Sequence, residues 1–366
     1  MPMLVIDLLV FEKKKAYGFQ EYIMNLLAYF HEHIREIPYK GIVIVCKDSE
    51  KDAFQKYTKF RIVGYKFESY IKRFWVQTMF PVWLGMGKLD LLLSPGNYSG
   101  LIKVSPTLLV IHDLLYKRKT WLPSRLMRWQ RELYMPHSIR KANMIVAISQ
   151  YTKHDIEYYY PKAKGKIRVI YNSMRLDKFV PSKVDLGFDN YFLVISSNAY
   201  HKNLETVLRA YIRYREKGGD KRIVFVGNLK GNTLAGIIFN NLQEQEKQGF
   251  IVKSHISDAE LGNLYRNASC FISASRFEGL GMPVVEAMSF GLPVLLSDIE
   301  IHREVSFNKG DYFPVDDYET LAVKMLNMDY SHRNYSTKII SEFSEGNTSA
   351  RYIELMNEIE LNNVSV

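Results

Sequence analysis

Short apolar runs and longer stretches of helical periodicity alternate along the whole chain. In the first half, Leu4–Val10, Ile42–Cys46, Leu89–Ser94, Leu108–His112, Met144–Ser149 and Ile167–Tyr171 read as strands. Between the first two, Phe19, Tyr22, Ile23, Leu26, Leu27 and Phe30 recur at helical spacing and predict a helix over 19–30. A second helix is predicted over Pro123–Lys141, with proline in the first turn, where its missing N–H is not needed. The second half restarts the rhythm. Strands are expected at Tyr191–Ser196, Ile223–Gly227, Phe250–Lys253, Cys270–Ser275 and Val294–Ser297. Helices are expected at Asn203–Glu216, Asp258–Asn267, Pro283–Phe290, Tyr318–Asn327 and Thr348–Glu360. Runs such as MIVAI and RIVFVG are apolar without alternation, as strands covered on both faces require, so the sheets should be parallel. Repeated βα units, twice over, predict an α/β fold of two Rossmann-like doubly wound domains facing a central cleft. The domains are expected at 1–180 and 181–345, with the helix in 346–366 packing back on the first. Asp177–Asp189, holding Pro181 and Gly187 and little periodicity, reads as the linker.

Length fits this division, because 366 residues exceed what one ordinary core covers. Hydrophobic residues at 47% and charged ones at 24% are those of a soluble globular chain. No run reaches the roughly 18 apolar residues of a membrane span. The start, MPMLVIDLLVFEKKK, places lysines after the apolar segment and Asp7 inside it, the reverse of a secretion signal, so it reads as a buried strand. Cys46 and Cys270 lie in apolar runs of different halves and read as two buried thiols of a reducing cytoplasm.

Charge changes the picture. Residues 1–180 hold 30 Lys and Arg against 15 Asp and Glu, whereas 181–366 hold 19 against 24. Such asymmetry points to an anionic partner for the first half: nucleic acid, an anionic membrane surface or a phosphate-bearing acceptor. The basic residues follow no recognisable nucleic-acid-binding module, so no nucleic acid is expected. The helix over 123–141 interleaves Arg125, Arg128, Arg131, Arg140 and Lys141 with Trp121, Leu126, Trp129 and Tyr134. It is the candidate contact with an anionic inner membrane face, giving a cytoplasmic, peripheral location as the expectation.

The segment carrying most chemical information is SRFEGLGMPVVEAMSFGLPVLLSD, residues 275–298. It reads as strand end, glycine loop, helix, glycine turn and strand. Gly279 and Gly281 let backbone approach a ligand closely, and Pro283 sets the first helical turn. Free N–H groups at that helix start suit a diphosphate. Glu278 precedes the loop and Glu286 lies on the helix, and a carboxylate accepts two hydroxyl hydrogen bonds at once, as sugars and riboses offer them.

This string resembles the E-x7-E signature of glycosyltransferase family 4, retaining enzymes of the GT-B fold that include bacterial polysaccharide-assembly enzymes. SDAELGNLYRNASCFISAS, GLPVLLSD and HKNLETVLRAY are similar to the same family, and the matching blocks span most of 189–305. The resemblance implies that Glu278 holds hydroxyls of the donor sugar and Glu286 the nucleotide ribose. Backbone at Gly279, Leu280 and Gly281 would then face the diphosphate or sugar. Lys202 matches the family's KN or KG motif and would neutralise the diphosphate. Many members carry an arginine about six residues before that lysine. Here Ser196 and Ser197 stand in that region, leaving Arg276 as a substitute or a site with fewer charges. In the first half, IHDLLY places His112 where members often have a histidine near the sugar's outer hydroxyls. Asp113 would orient the ring or cap the next segment. Gly18 stands where members usually have a glycine-rich loop bordering donor phosphate and acceptor. KANMIVAISQYTKHDI and KIRVIYN are weaker matches.

What the resemblance implies is a hexosyltransferase that uses a nucleotide-sugar donor and a glycan or lipid-linked acceptor in surface polysaccharide synthesis. No D-x-D motif and no zinc-type Cys/His spacing occurs, so neither metal nor other cofactor is expected. Direct transfer with retention follows, with the leaving phosphate taking the acceptor proton. A nicotinamide-dependent oxidoreductase would need G-x-G-x-x-G after the first strand, where the chain reads FEKKKAYGF. A catalytically inactive sugar-nucleotide binder is the nearer alternative.

Overall fold

In a computed structural model of the chain, residues 2–13, 18–88, 90–118, 125–180, 186–229, 231, 233–335 and 337–364 are described. The chain forms two compact units, one of Met1–Met174 with Glu342–Val366 and one of Arg175–Ser341.

The first unit is a seven-stranded parallel sheet. Its strands are β1 (Met3–Leu8), β2 (Gly41–Lys47), β3 (Arg61–Tyr65), β4 (Leu91–Ser94), β5 (Thr107–Ile111), β6 (Met144–Ala147) and β7 (Ile167–Val169), in the order β3-β2-β1-β4-β5-β6-β7. Central strands are buried along nearly their whole length, which is why their sequences are apolar runs. Helix Glu345–Val364 belongs to this unit. The hydroxyls of Tyr352 and Tyr22 lie 2.7 Å apart, Thr348 Oγ1 donates to Tyr171 O at 3.0 Å, and Arg168 pairs with Glu358 at 3.0 Å.

The second unit is a six-stranded parallel sheet of β8 (Tyr191–Ser196), β9 (Arg222–Gly227), β10 (Phe250–Lys253), β11 (Cys270–Ser273), β12 (Val294–Ser297) and β13 (Asp311–Phe313), ordered β10-β9-β8-β11-β12-β13. This is the doubly wound Rossmann order, reversing between β8 and β11. Helix Leu204–Glu216 turns Leu204, Val207, Leu208, Tyr211 and Tyr214 into the core against Phe192 and Phe225. Val207 and Leu208 are fully buried, so truncating Leu208 to alanine should cost about 2–5 kcal/mol. Both cysteines are buried free thiols.

Several elements escape the sequence reading, helices Gln150–Tyr159 and Leu234–Asn241 among them. Edge strands β3 and β13 escape the pattern because neither is buried along its length. Helix Tyr70–Trp83 escapes it too, since several of its apolar residues face water. The stretch read as linker does not begin at Asp177. Phe179 is buried edge-on against Tyr265 and Phe290, and its carbonyl accepts from Arg266. These contacts tie Lys178 and Phe179 to the second unit. In the basic helix, described from Arg125, Tyr134 stacks on Phe74 at 3.5 Å, and Met135 and Ile139 are core residues. Trp121 and Pro123, and the side chains of Arg125 and Leu126, lie outside the described residues.

Candidate active site

Strands β8 and β11 are neighbours at the point where the sheet order reverses, and a loop leaves the C-terminal end of each. After β8 the chain makes a single 3-10 turn, Tyr200–Lys202, ended by Asn203 in the left-handed region at φ 55°. Asn203 is fully buried and donates through Nδ2 to Ala274 O at 2.9 Å, while Arg276 N donates to His201 O at 2.7 Å. These bonds stitch the two loops together. Lys202 Nζ consequently reaches Glu278 Oε1 at 2.6 Å. Ser275 Oγ donates to the same oxygen at 2.7 Å.

Burial opposes ionisation of Glu278, but the charge and hydrogen bond of Lys202, the Ser275 hydroxyl and His201 together outweigh it. The carboxyl is held below its ordinary value and is ionised at neutral pH. A small pocket here is lined by Ser196, Lys202, Ser273, Ser275, Glu278 and Gly281. The loop ends at Gly281, which caps helix Met282–Ser289 with φ 85°, a left-handed conformation that other residues adopt only under strain. Leu280 is buried and Gly279 half-buried, and the segment meets the pocket through Glu278, Gly281, Pro283 and Val284. At the end of β9, a Cβ on Gly227 would sit 2.0 Å from Ser196 O, so glycine permits the close approach beside the pocket.

Glu286 lies on the helix and is buried. It accepts from Tyr265 Oη at 2.7 Å and from Lys178 Nζ at 3.1 Å. Below the pocket, fully buried His302 sets Nδ1 2.9 Å from Ser297 O and Nε2 3.3 Å from Ser273 Oγ. Ser297 Oγ in turn donates to Ser275 O at 2.6 Å. Burial pushes the His302 imidazole below its ordinary pKa, so it is neutral near pH 7. Arg276 does not offer its charge to the pocket. Its guanidinium is held by Glu205 at 2.6 Å and Asp316 at 2.8 Å and lies over the Tyr200 ring.

In the first unit His112 follows β5. Its Nε2 donates to Pro95 O at 2.8 Å, its backbone N–H donates to Asn97 Oδ1 at 2.6 Å, and Phe19 and Tyr22 meet the ring edge-on. Burial lowers its pKa, so the imidazole is neutral with Nδ1 as its lone-pair nitrogen. Asp113 does not orient the ring: it accepts from Leu115 N at 2.9 Å, a local cap. Gly18 opens helix Gly18–Glu32 one residue before Phe19, in open space and without positive φ. Among the described residues no three His, Cys, Asp or Glu side chains gather as a metal cluster.

Sequence reasoning missed Lys178, Tyr265, Ser275 and His302. Only Ser275, three residues before Glu278, stood inside the informative string. Tyr265 lies within the family-like block SDAELGNLYRNASCFISAS without standing out in it, while Lys178 and His302 come from separate elements and carry no local signal.

Comparison with known sequences matches residues 22–178 to the family described as Glycosyltransferase Family 4 and residues 181–328 to Glycosyl transferases group 1. The chain belongs to glycosyltransferase family 4. Among the family's curated relatives, the O-antigen chain mannosyltransferase RfbU of Salmonella typhimurium is 28% identical over 194 residues, 52% of each chain. The chain thus spans about half the length of that relative. A glycosyltransferase from Rickettsia africae superposes with a TM-score of 0.70 at 16% identity, over 98% of both chains. The Anabaena protein HepE in complex with UDP gives 0.70 at 13% identity, over 98% of this chain and 100% of that one. Likeness at such low identity shows the fold, GT-B, built of two parallel-sheet α/β domains. In this family-4 chain the signature carboxylates are Glu278 and Glu286, one paired with Lys202 and the other with Lys178.

Proposed function

We propose that the protein is a retaining hexosyltransferase that moves a sugar, mannose first among candidates, from a nucleotide-sugar donor to a glycan or lipid-linked glycan acceptor in surface polysaccharide assembly. The observation that carries this reading is the meeting of Lys202 and Glu278 at the reversal point of the second sheet, beside a glycine-capped helix start. A diphosphate there would draw on the Lys202 ammonium and the positive end of the helix, which both stabilise negative charge growing on a leaving group. Pro283, however, has no N–H, and the Val284 N–H is donated to Gly281 O at 2.9 Å. Ionised Glu278 is an acceptor for sugar hydroxyls, and Glu286 for the ribose hydroxyls. The family resemblance adds His112 as a contact to the sugar's outer hydroxyls and Gly18 as a border of the donor phosphates.

In the transfer, the bond from the anomeric carbon to the phosphate oxygen breaks and a bond to the acceptor hydroxyl oxygen forms on the same face. The hydroxyl proton passes to the departing phosphate, so no protein base is required. Lys202 takes the electrostatic part that a divalent metal plays elsewhere. The N-terminal unit's positive charge would favour an anionic membrane face, where a lipid-linked acceptor lies.

Incubation with GDP- and UDP-linked sugars and a synthetic polyprenyl-diphosphate glycan tests this, with and without EDTA. Release of nucleoside diphosphate with an α-linked product from an α-linked donor, undiminished by EDTA, is expected. An inverted product, or activity abolished by EDTA and restored by metal, would overturn the mechanism.

A further inference from the structure

Helix Tyr70–Trp83 presents an apolar face to water. Ile71, Trp75 and Val82 are 80%, 60% and 45% exposed, and half-buried Met79 falls between them at helical spacing. Trp83 beside them is 50% exposed. Polar residues of the same helix point inward instead. Gln77 is buried and donates to Asp7 Oδ2 at 2.5 Å, and buried Thr78 accepts from Leu101 N at 3.2 Å. Tryptophan is normally among the better-buried side chains. Here each of the three whose side chains are described, Trp75, Trp83 and Trp129, stands at least half in water.

The exposed residues lie on adjoining segments. Phe74 stacks on Tyr134 of helix Arg125–Lys141, which exposes Trp129 and Leu133 four residues apart. The loop 100–103 bridges the two helices. Leu101 bonds Thr78 through its N–H and accepts from His137 Nε2 at 3.0 Å, and Lys141 Nζ donates to Ile102 O at 3.0 Å. Leu101 and Ile102 are themselves exposed. Residues 70–83, 100–103 and 125–141 together hold eight Lys and Arg against one acid, Glu132, which Arg128 pairs. Outside these segments Glu68 pairs with Lys72 at 3.0 Å and Asp113 lies 3.9 Å from Arg131. Partial burial and the nearby charge of Lys103 lower the pKa of Lys141 to about 8, as in a place short of counter-charge.

Exposed aromatic and aliphatic side chains ringed by lysine and arginine match the interfacial zone of a bilayer, where indoles sit at headgroup level and cations meet lipid phosphates. We propose that this face of the N-terminal unit docks on an anionic lipid bilayer, with Ile71, Trp75, Val82 and Trp83 entering the headgroup layer. The charge complementarity selects lipid over an apolar protein partner. This names the surface behind the membrane reading above and does not rest on the donor site.

The full chain would be sedimented with vesicles of phosphatidylcholine, alone or mixed with phosphatidylglycerol, while tryptophan emission is recorded. A Trp75→Ala/Trp83→Ala variant is compared with Tyr158→Ala, an exposed aromatic on helix Gln150–Tyr159. Binding to the anionic vesicles with a blue-shifted emission is expected, reduced roughly tenfold or more in the double variant and unchanged in Tyr158→Ala. No binding to anionic vesicles, or equal binding by both variants, would overturn the proposal. So would a lipid-independent dimer that the double substitution dissolves, since the face would then meet a second copy. Nucleotide-sugar binding by the double variant, measured without lipid, keeps a failure here separate from a failure of the donor-site reading.

Discussion

Each unit shelters a carboxylate close to the reversal point of its sheet, Asp7 buried and Glu278 partly so, and the two are held in opposite ways. Asp7 lies on β1 of the first unit. Its burial dominates, hydrogen bonds from the Gln77 amide and Leu9 N–H and the charge of Arg73 compensate only in part, and its pKa rises to about 6. Glu278 follows β11 of the second unit. There a lysine 2.6 Å away overrides burial and the carboxyl stays ionised. Burial by itself raises the pKa of either group. At Glu278 the neighbouring loop, after β8, delivers the cation Lys202, and the buried Asn203 beside it is held to Ala274 O. A fixed charge pair of this kind is weak evidence for stability and better evidence for a site that meets charge. The first unit's surplus of positive charge includes the exposed helices, while its β5 loop presents a neutral histidine.

Lys202 carries the largest expected effect. Lys202→Met should lower kcat/KM for transfer roughly 100- to 1,000-fold, with loss of donor affinity, as expected when a leaving-group cation is removed. Unchanged kinetics in a folded variant would make the pair a structural bridge. Next in size is Glu286→Ala, expected to weaken donor binding roughly tenfold in calorimetric titration, the scale of hydrogen bonds to a charged group.

The two carboxylates also predict opposite pH behaviour. With Asp7 near 6 in the folded chain and 3.8 when unfolded, the native state binds more protons between those values. Stability therefore falls as pH rises through that window, by about 3 kcal/mol at most. Asp7→Asn should raise the denaturation midpoint at pH 7 and lose its advantage near pH 4. Glu278 lies below its ordinary 4.5, so its contribution is present above that value and is lost as pH falls through the depressed one. Glu278→Gln should accordingly destabilise at neutral pH and converge with wild type in acid. Urea titrations across pH would reveal crossing or parallel curves, and parallel ones contradict the assignment. The smallest effect belongs to Tyr265→Phe, which removes one hydrogen bond to Glu286 and should lower stability by about 1 kcal/mol.

Much of this was legible in the sequence, for reasons particular to each element. Strands such as Val294–Ser297 are buried along their length, so their apolar runs name them. β13, three residues at an edge and only partly buried, leaves no such trace. Helix Tyr70–Trp83 defeated periodicity because Gln77 and Thr78 face inward while Trp75 faces water. Glu278, Glu286 and Lys202 stood out because a local string surrounds each of them. Lys178 and His302 meet the site through tertiary folding alone, and Tyr265, though inside a family-like block, is singled out only by its contact with Glu286. Phe179 and Lys178 were misread as linker because two packed residues before a proline make no pattern.

On the proposed function, Lys202 and Glu286 belong to one nucleotide-sugar site. Ligand-observed NMR with a panel of GDP- and UDP-linked sugars, on the wild type, Lys202→Ala and Glu286→Ala, tests it most directly. Saturation transfer to one donor class, weakened in both variants, is the predicted result. A folded protein that binds no donor, or variants that bind as the wild type does, would contradict the account.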